Sequence, residues 1–291
     1  MPNVSDATTE TKARSYRSKN KPTWCPGCGD FGVLGALDRA LVRLGVPAHQ
    51  VAVVAGIGCS SRFPFFMDTY GFHSAHGRGL SVATGLKAAR PELTVVATGG
   101  DGDALAIGGN HFFHTMRRNV DLTYILMDNQ IYGMTKGQTA PTSRLGLKTK
   151  STPRGNVETP VNPAWVALTA GATFVAQGTS WDLPGLAELL YAGLCHHGMA
   201  FVNVLSPCVT FHREADKDYF KALSAPVPPA HDATSRAAAL ALLLESGDRH
   251  PIGLIYRDPA ARPSYDDDVD ACLDHPADER AIVAELMRRQ L

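Results

Sequence analysis

Short apolar runs that end in glycine or polar residues are the clearest pattern along this chain. The best of them are rich in valine, isoleucine and leucine and cover residues 51–55, 93–98, 122–127 and 201–205, with a weaker one at 172–176. A continuous apolar run is typical of a strand that is covered on both faces, as in a parallel sheet. Segments that read as helices lie between and beyond these runs, at residues 31–44, 79–90, 104–119, 162–171, 183–196 and 234–245. The alternation predicts an α/β fold, a parallel sheet with helices on both faces.

Polar side chains follow two of the predicted strands at once. The sequence GGDGD begins at Gly99, after the strand at 93–98, and Asp128 and Asn129 follow the strand at 122–127. Because the carboxyl ends of parallel strands meet at one edge of a sheet, we expect Asp101 and Asn129 to lie side by side. Two oxygen donors there suit a Mg²⁺ ion that carries a diphosphate, and the glycines let backbone N–H groups approach phosphate. On these residues alone, an ordinary strand–helix turn followed by a loop is the commoner interpretation.

Four of the six cysteines fall in places that suggest a common centre. Cys25 and Cys28 form a Cys-x-x-Cys turn, which is compatible with a redox dithiol, half a zinc site or half an iron–sulfur site. Cys59 follows the strand at 51–55 and Cys208 follows the strand at 201–205, so both are predicted at the same edge of the sheet as Asp101. A buried structural thiol is the alternative for Cys59. The other two cysteines fit no such pattern and are interpreted as structural; they are Cys195 and Cys272.

Two polar loops could reach the same edge. His76 and Arg78 occur in the sequence SAHGRG before a small-residue helix, and residues 133–160 hold five cations against one acid without any periodicity. Long loops of this kind inside a compact domain are often functional. Lys136 lies close enough to Asn129 along the chain to reach the crevice. A solvated polar loop is the alternative for both stretches.

Composition limits the organisation and the partners. The chain has 291 residues, 44% hydrophobic, with a formal net charge of zero, which gives no bulk preference for nucleic acid or a membrane surface. No apolar run exceeds eight residues and the N-terminus has no apolar leader, so we expect a cytoplasmic protein. We predict a mobile arm over residues 1–23 and one cofactor-binding domain over 24–224. Residues 225–291 are predicted to form a Pro-rich linker, a helix and a solvated acidic tail.

Taken together, these elements resemble a known family. The matching motifs occur in order and are WCPGCGD from Trp24, GIGCS from Gly56, HGR from His76, GGDGD from Gly99, DNQIYGMTKGQ from Asp128 and SPC from Ser206. They resemble the thiamine-diphosphate-binding β subunit of the 2-oxoacid:ferredoxin oxidoreductases, over residues 21–225 and more loosely beyond.

The resemblance implies roles for named residues. It implies that Cys25, Cys28, Cys59 and Cys208 ligate a [4Fe-4S] cluster, and that Asp101, Asn129 and the carbonyl of Ile131 coordinate Mg²⁺. The residues implied to contact thiamine diphosphate are Ile57, Gly58, Cys59, Ser60, His76, Gly102, Asp103, Gly133 and Met134. Lys136 matches a lysine that holds the substrate carboxylate, and with His76 it is the implied catalytic residue.

The resemblance also implies the reaction and the partners. The family converts a 2-oxoacid and coenzyme A into an acyl-CoA and CO₂, and passes single electrons through the cluster to ferredoxin. The pyrimidine-binding domain is expected on a separate α subunit, so we expect the chain alone to be inactive. Chain length and the sequence YGMTK at 132–136 favour 2-oxoglutarate over pyruvate and branched 2-oxoacids. The alternatives are a thiamine-dependent decarboxylase or synthase without electron transfer, and a four-thiolate zinc domain that docks partners.

Overall fold

One mixed sheet runs through the part of the chain that the computed structural model describes, residues 15–260, 262–272 and 287–288. Its order is β2-β1-β3-β4-β6-β5-β8-β7. The first six strands in that order are mutually parallel, β8 is antiparallel to β5, and β7 is parallel to β8. The bounds are β1 Val51–Ala55, β2 Tyr70–His73, β3 Thr94–Gly100, β4 Thr123–Asp128, β5 Phe174–Thr179, β6 Ala200–Leu205, β7 Ser224–Pro226 and β8 His250–Arg257.

Helices cover both faces of this sheet. Their bounds are α1 Asp30–Leu44, α2 Phe63–Phe66, α3 Gly79–Ala89, α4 Gly109–Arg118, α5 Pro163–Ala170, α6 Leu183–Leu194, α7 Lys217–Leu223, α8 Arg236–Glu245 and α9 Tyr265–Cys272. Side chains of α1, α2 and α6 form one apolar core against the sheet, and those of α3, α4, α5 and α8 form the other. The predicted α/β class is confirmed.

Alternation along the central strands explains why the apolar runs are continuous. In β4, Tyr124 and Leu126 belong to the core beneath α3–α5, whereas Ile125 and Met127 belong to the core beneath α1 and α6. All of these side chains are almost completely buried. A strand of this kind has no solvent face, so its sequence carries no polar alternation.

Four neighbouring strands place the polar motifs together. β1, β3, β4 and β6 are consecutive in the sheet, and their carboxyl ends lead into the segments at 56–60, 101–103, 129–131 and 206–208. The βαβ crossover predicted between β3 and β4 is present, and it contains a short π-helical turn at Asp103–Ile107 before α4. Such turns are frequently found at functional sites.

The C-terminal segment is not the solvated extension that we predicted. The helix at 236–245 is present, but β8 then extends the sheet antiparallel to β5, and Ile255 and Tyr256 are buried in the core beneath α3–α5. The strand was missed because Pro251 and Gly253 interrupt its apolar pattern, and the ladder contains a register shift opposite Val175. The acidic stretch after β8 forms α9, and most of residues 273–291 lie outside the described part.

The predicted N-terminal arm also needs correction where it is described. The Tyr16 side chain is buried, and its backbone N–H donates to Asp38 Oδ1 at 2.7 Å. Arg17 forms an antiparallel bridge with Met67, and Ser18 N donates to Phe66 O at 2.9 Å. An aromatic anchor in an otherwise polar segment accounts for this packing. Residues 1–14 lie outside the described residues.

Among the described residues, no helix has the length and apolar character that crossing a bilayer would require.

The packing of β8 can be tested through stability. We expect Ile255→Ala to lower the free energy of unfolding of the purified subunit by about 2–5 kcal/mol, because the side chain is fully buried. Leu244→Ala, at a position 66% exposed on α8, is the control and should change it by about 0.5 kcal/mol or less. Urea unfolding measures both. Equal effects of the two substitutions would show that β8 is not part of the core.

Candidate active site

The loops that follow β1, β3 and β4 enclose a crevice at the carboxyl edge of the sheet. It brings together every residue that the sequence analysis assigned to thiamine diphosphate or Mg²⁺. These are Ile57, Gly58, Cys59, Ser60, His76, Asp101, Gly102, Asp103, Asn129, Ile131, Gly133 and Met134. Three residues absent from that assignment also line it, namely Gly100, Tyr132 and Thr135, and the buried Thr142 contacts Asp101 from behind.

The Asp103 carboxylate ties the crevice loops together. Its Oδ1 accepts hydrogen bonds from Ile57 N at 3.0 Å and Gly77 N at 2.7 Å, and contacts His76 Nδ1 at 2.6 Å. Its Oδ2 lies so close to Gly56 that a Cβ there would sit 2.0 Å away. Asp103 therefore positions two loops, besides lining the crevice. Because the carboxylate holds Nδ1 as the protonated nitrogen, the His76 ring leaves Nε2 as a free acceptor.

Tyr132 closes the side of the crevice beside the predicted phosphate-binding turn. Its hydroxyl donates to Gly102 O at 3.0 Å, and its ring lies where a side chain at residue 102 would be, 2.2 Å from an added Cβ. Glycine is therefore required at position 102. Close backbone approach of this kind is what a bound phosphate group needs.

Two buried carboxyls meet at the base of the crevice. Asp101 and Asp128 are each about 1% exposed, and the Thr142 hydroxyl donates to Asp101 Oδ2 at 2.5 Å. Burial and the neighbouring Asp128 charge raise the pKa of Asp101, and burial raises the pKa of Asp128 to about 6. Neither forms an ion pair within the described residues. This uncompensated negative charge suits a bound cation.

A tight turn presents the two remaining oxygen donors. Asn129 Oδ1 accepts from Ile131 N at 3.0 Å, and Gln130 between them has a left-handed backbone with φ +57°. The Asn129 carbonyl accepts from His212 Nδ1 at 3.0 Å. The turn is thus fixed from both sides, with the Asn129 side chain and Ile131 lining the same crevice as Asp101.

The four predicted cluster cysteines lie on adjoining loops beside the crevice. Cys28 N donates to Cys25 O at 3.0 Å, and Gly29 N donates to Pro207 O at 3.3 Å, which joins the Cys-x-x-Cys turn to the Cys208 segment. A Cβ at Gly133 would lie 3.2 Å from Cys208 Sγ. Trp24 Nε1 donates to Cys59 O at 2.7 Å. Within the described residues, no three Cys, His or acidic side chains converge on a single metal ion.

Burial and negative charge dominate the electrostatics around these thiols. Burial, followed by the nearby Asp30 charge, raises the pKa of Cys59 to about 11 and that of Cys28 further. Burial also raises the pKa of Asp30 to about 6, although the Ser206 hydroxyl donates to its Oδ1 at 2.8 Å. Thiols in this setting remain protonated unless a cationic centre compensates them.

Lys136 is placed differently from the other predicted residues. Its backbone has a left-handed φ of +76°, and its exposed side chain lines a neighbouring cavity with Phe211 and Arg213. Thr135 and Met134, immediately before it, line the crevice. A non-glycine residue with positive φ is strained, and such strain is concentrated at functional sites. Cys195 is exposed at the C-terminal end of α6 and does not line the crevice.

Comparison with known families agrees with this geometry. Residues 46–204 match the family described as thiamine pyrophosphate enzyme, C-terminal TPP binding domain. Residues 208–274 match the family that describes the C terminal of the pyruvate ferredoxin oxidoreductase beta subunit. The β subunit of 2-oxoacid:ferredoxin oxidoreductase 1 from Aeropyrum pernix is 42% identical over 256 residues, which cover 84% of this chain and 80% of that protein. The chain belongs to the β subunits of the 2-oxoacid:ferredoxin oxidoreductases.

Two further relatives of this β subunit are informative. The 2-oxoglutarate oxidoreductase subunit KorB of Mycobacterium tuberculosis is 48% identical over 201 residues, 69% of this chain and 54% of that protein. A solved 2-oxoglutarate:ferredoxin oxidoreductase from Magnetococcus marinus, with 2-oxoglutarate, coenzyme A and succinyl-CoA bound, is 43% identical. It superposes with a TM-score of 0.88 over 92% of this chain and 94% of that chain.

The raised pKa of Asp30 predicts a pH dependence of stability for the metal-free β subunit. Between about pH 4 and pH 6 the Asp30 carboxyl is protonated in the folded state and ionised in the unfolded state. The free energy of unfolding therefore falls as the pH rises through this range. The Asp30→Asn variant mimics the protonated form. We expect its free energy of unfolding to rise relative to that of the wild type by up to roughly 3 kcal/mol between pH 4 and pH 7.

Urea unfolding of both proteins across that pH range measures the difference. Asp218→Asn, on an exposed carboxyl of α7, is the control and should follow the wild type at every pH. If the two free energies of unfolding differed by the same amount at every pH, the raised pKa of Asp30 would be contradicted.

Proposed function

We propose that this chain, together with an α subunit, catalyses the oxidative decarboxylation of 2-oxoglutarate to succinyl-CoA and CO₂, with two single-electron transfers to ferredoxin. One observation carries the proposal. The crevice that suits thiamine diphosphate and the loops that hold the four cysteines share residues, because Cys59 lines the crevice and Gly133 separates it from Cys208. A thiamine enzyme without electron transfer has no need of that arrangement.

A Mg²⁺ ion fits the base of the crevice. Asp101 would supply one carboxylate oxygen, and Asn129 Oδ1 and the Ile131 carbonyl would supply two neutral oxygens, leaving positions for diphosphate oxygens and water. The ion would compensate the buried charge of Asp101, which has no cationic partner among the described residues. Thr142 would hold Asp101 Oδ2, so that the carboxylate keeps a single orientation.

A [4Fe-4S] cluster fits the cysteine loops. Soft thiolate donors select such clusters, and Cys25, Cys28, Cys59 and Cys208 come from three segments that contact one another. Each of Cys28 and Cys59 lies within electrostatic range of Cys208. A set of four soft thiolate donors suits an iron–sulfur cluster, and a four-thiolate zinc ion is the alternative that the visible absorption of the protein distinguishes.

The chain's own residues would prepare the site for chemistry. Thiamine diphosphate supplies an electron sink for loss of CO₂ from a 2-oxoacid. The backbone at Gly102 would receive the diphosphate, and Met134 and Ile57 would give the cofactor an apolar contact on one side of the crevice. His76, fixed by Asp103, would present Nε2 as a proton acceptor or, when protonated, as a donor. Lys136 would hold the substrate carboxylate if its exposed side chain turned from the neighbouring cavity towards the crevice.

The names of the relatives support the proposed substrate and partners. The Mycobacterium tuberculosis and Magnetococcus marinus proteins are named for 2-oxoglutarate, and the latter contains coenzyme A. The crevice of this chain is open on one side, where Ile57 and Met134 are 44% and 48% exposed. We infer that the α subunit, which would carry the pyrimidine-binding domain, closes that side.

The Mg²⁺ site can be tested by ligand binding. We expect Asp101→Ala to weaken Mg²⁺-dependent binding of thiamine diphosphate to the anaerobic holoenzyme by more than roughly 100-fold, since changes even in the surroundings of metal ligands commonly cost ~10–100-fold. Equilibrium dialysis with and without MgCl₂ measures it, and Asp218→Ala on α7 is the control. Retained binding in Asp101→Ala would show that the turn holds no metal.

The reaction is tested with the α and β subunits co-expressed and purified without oxygen. We expect reduction of methyl viologen that requires both coenzyme A and a 2-oxoacid, with the highest kcat/KM for 2-oxoglutarate among 2-oxoglutarate, pyruvate and branched 2-oxoacids. The β subunit alone should be inactive, because half of the active site is missing. CO₂ release without viologen reduction would instead identify a non-redox thiamine enzyme, and turnover by the β subunit alone would refute the shared site.

A further inference from the structure

A second cavity lies on the far side of the 131–137 loop from the crevice. It has a volume of about 410 Å³ and is bounded by that loop, by residues 147–150 and by residues 210–214. The loop at 131–137 is packed against its wall, because a Cβ at Gly137 would lie 3.5 Å from Phe211 Cβ. The mechanism proposed above uses Lys136 from this cavity and leaves its other side chains without a role.

Four exposed cations line this cavity, Lys136 and three others at its mouth. We call Lys148, Lys150 and Arg213 the basic rim; all three line the cavity, and none has a side-chain hydrogen bond or ion pair to any described residue. The one acid at the mouth, Glu214, is neutralised by an ion pair with Arg144. Unpaired like charges brought together by three loops repel one another, so the fold does not gain from their grouping.

The basic rim adjoins the cysteine loops. His212 N donates to Cys208 O at 3.1 Å, so Arg213 follows directly on the segment that carries Cys208. Between the cations, Phe211 exposes 39% of its surface. The rim therefore lies beside an exposed aromatic side chain, three residues along the chain from Cys208.

The floor of the cavity does not suit a small anion. It is formed by Ile131, Leu147 and the buried His212 ring. Nδ1 of that ring donates to the Asn129 carbonyl, so this N–H is not free to bind an anion, and the rest of the floor is apolar. The positive charge is concentrated at the mouth, where a flat acidic surface can meet it.

We propose that the basic rim docks the acidic face of ferredoxin, with Phe211 as the apolar contact at its centre. The inference rests on the proposed function, which makes ferredoxin the electron acceptor. Interfaces of electron carriers are small and transient, and charge complementarity acts on them mainly through the rate of association. Phosphate groups of coenzyme A are the competing occupant of the same charges.

Charge reversal in the anaerobic holoenzyme tests the proposal by direct binding. We expect the double variant Lys148→Glu and Lys150→Glu, and separately Arg213→Glu, to raise the Kd for an oxidised acidic ferredoxin by about tenfold or more at low ionic strength, with a shallower salt dependence than the wild type. Arg39→Glu, on an exposed cation of α1, makes the same charge change elsewhere and should leave the Kd near the wild-type value. Unchanged Kd in both rim variants would overturn the proposal.

Two kinetic measurements on the same proteins separate the alternatives. Reduction of methyl viologen and the KM for coenzyme A should stay at wild-type values in the rim variants, while the KM for ferredoxin rises. A raised KM for coenzyme A with an unchanged Kd for ferredoxin would assign the rim to phosphate and overturn the docking proposal. The Kd for ferredoxin is measured without turnover, so it tests the role of the basic rim even if the holoenzyme is inactive on 2-oxoacids. Such inactivity would count against the proposed function alone.

Discussion

The interaction on which the site depends is the set of contacts made by one buried carboxylate. Asp103 Oδ1 receives the backbone N–H groups of Ile57 and Gly77 and the His76 ring, so a single side chain after β3 fixes the loops that follow β1 and β2. Those loops carry Cys59 and His76. A buried carboxylate is stable only when donors satisfy it, and here the donors are the loops themselves. The crevice is therefore formed before any ligand arrives.

Other buried acids in the site also accept hydrogen bonds, but none of them forms an ion pair with a described residue. Asp101 and Asp128 have the Thr142 hydroxyl beside them, and Asp30 lies among thiols, with raised pKa values in each case. Folding such groups without a cation costs free energy, which is a recurring feature of sites whose charge is completed by a ligand. The same logic links both proposed metal centres, since Mg²⁺ would compensate Asp101 and a cluster would compensate the thiolates. One edge of the sheet would hold both centres.

The sequence predicted the parts of this arrangement that local patterns control. Continuous apolar strands and the polar residues behind them located β1, β3, β4 and β6 and placed their ends together, because parallel strands leave no other edge for ligands. Contacts between residues that are distant in the sequence could not be predicted from such local patterns. Thr142 reaches Asp101 from 41 residues away, Tyr132 covers Gly102 across the sheet, and β8 joins β5 despite Pro251 and Gly253. Asp103 was predicted to contact the cofactor, and nothing in its neighbouring sequence indicated that it also holds two loops.

The most direct test asks whether the crevice and the four cysteines at the carboxyl edge of the sheet form one redox site. Anaerobic holoenzyme loaded with thiamine diphosphate and Mg²⁺ is mixed with 2-oxoglutarate, without ferredoxin or viologen, while its visible absorption is recorded. A cluster held by Cys25, Cys28, Cys59 and Cys208 beside the crevice predicts a brown protein whose broad absorption bleaches on mixing, and loss of that response in Cys59→Ser. A colourless protein that contains zinc, or a brown one whose absorption the 2-oxoacid leaves unchanged, would contradict a redox centre coupled to this crevice.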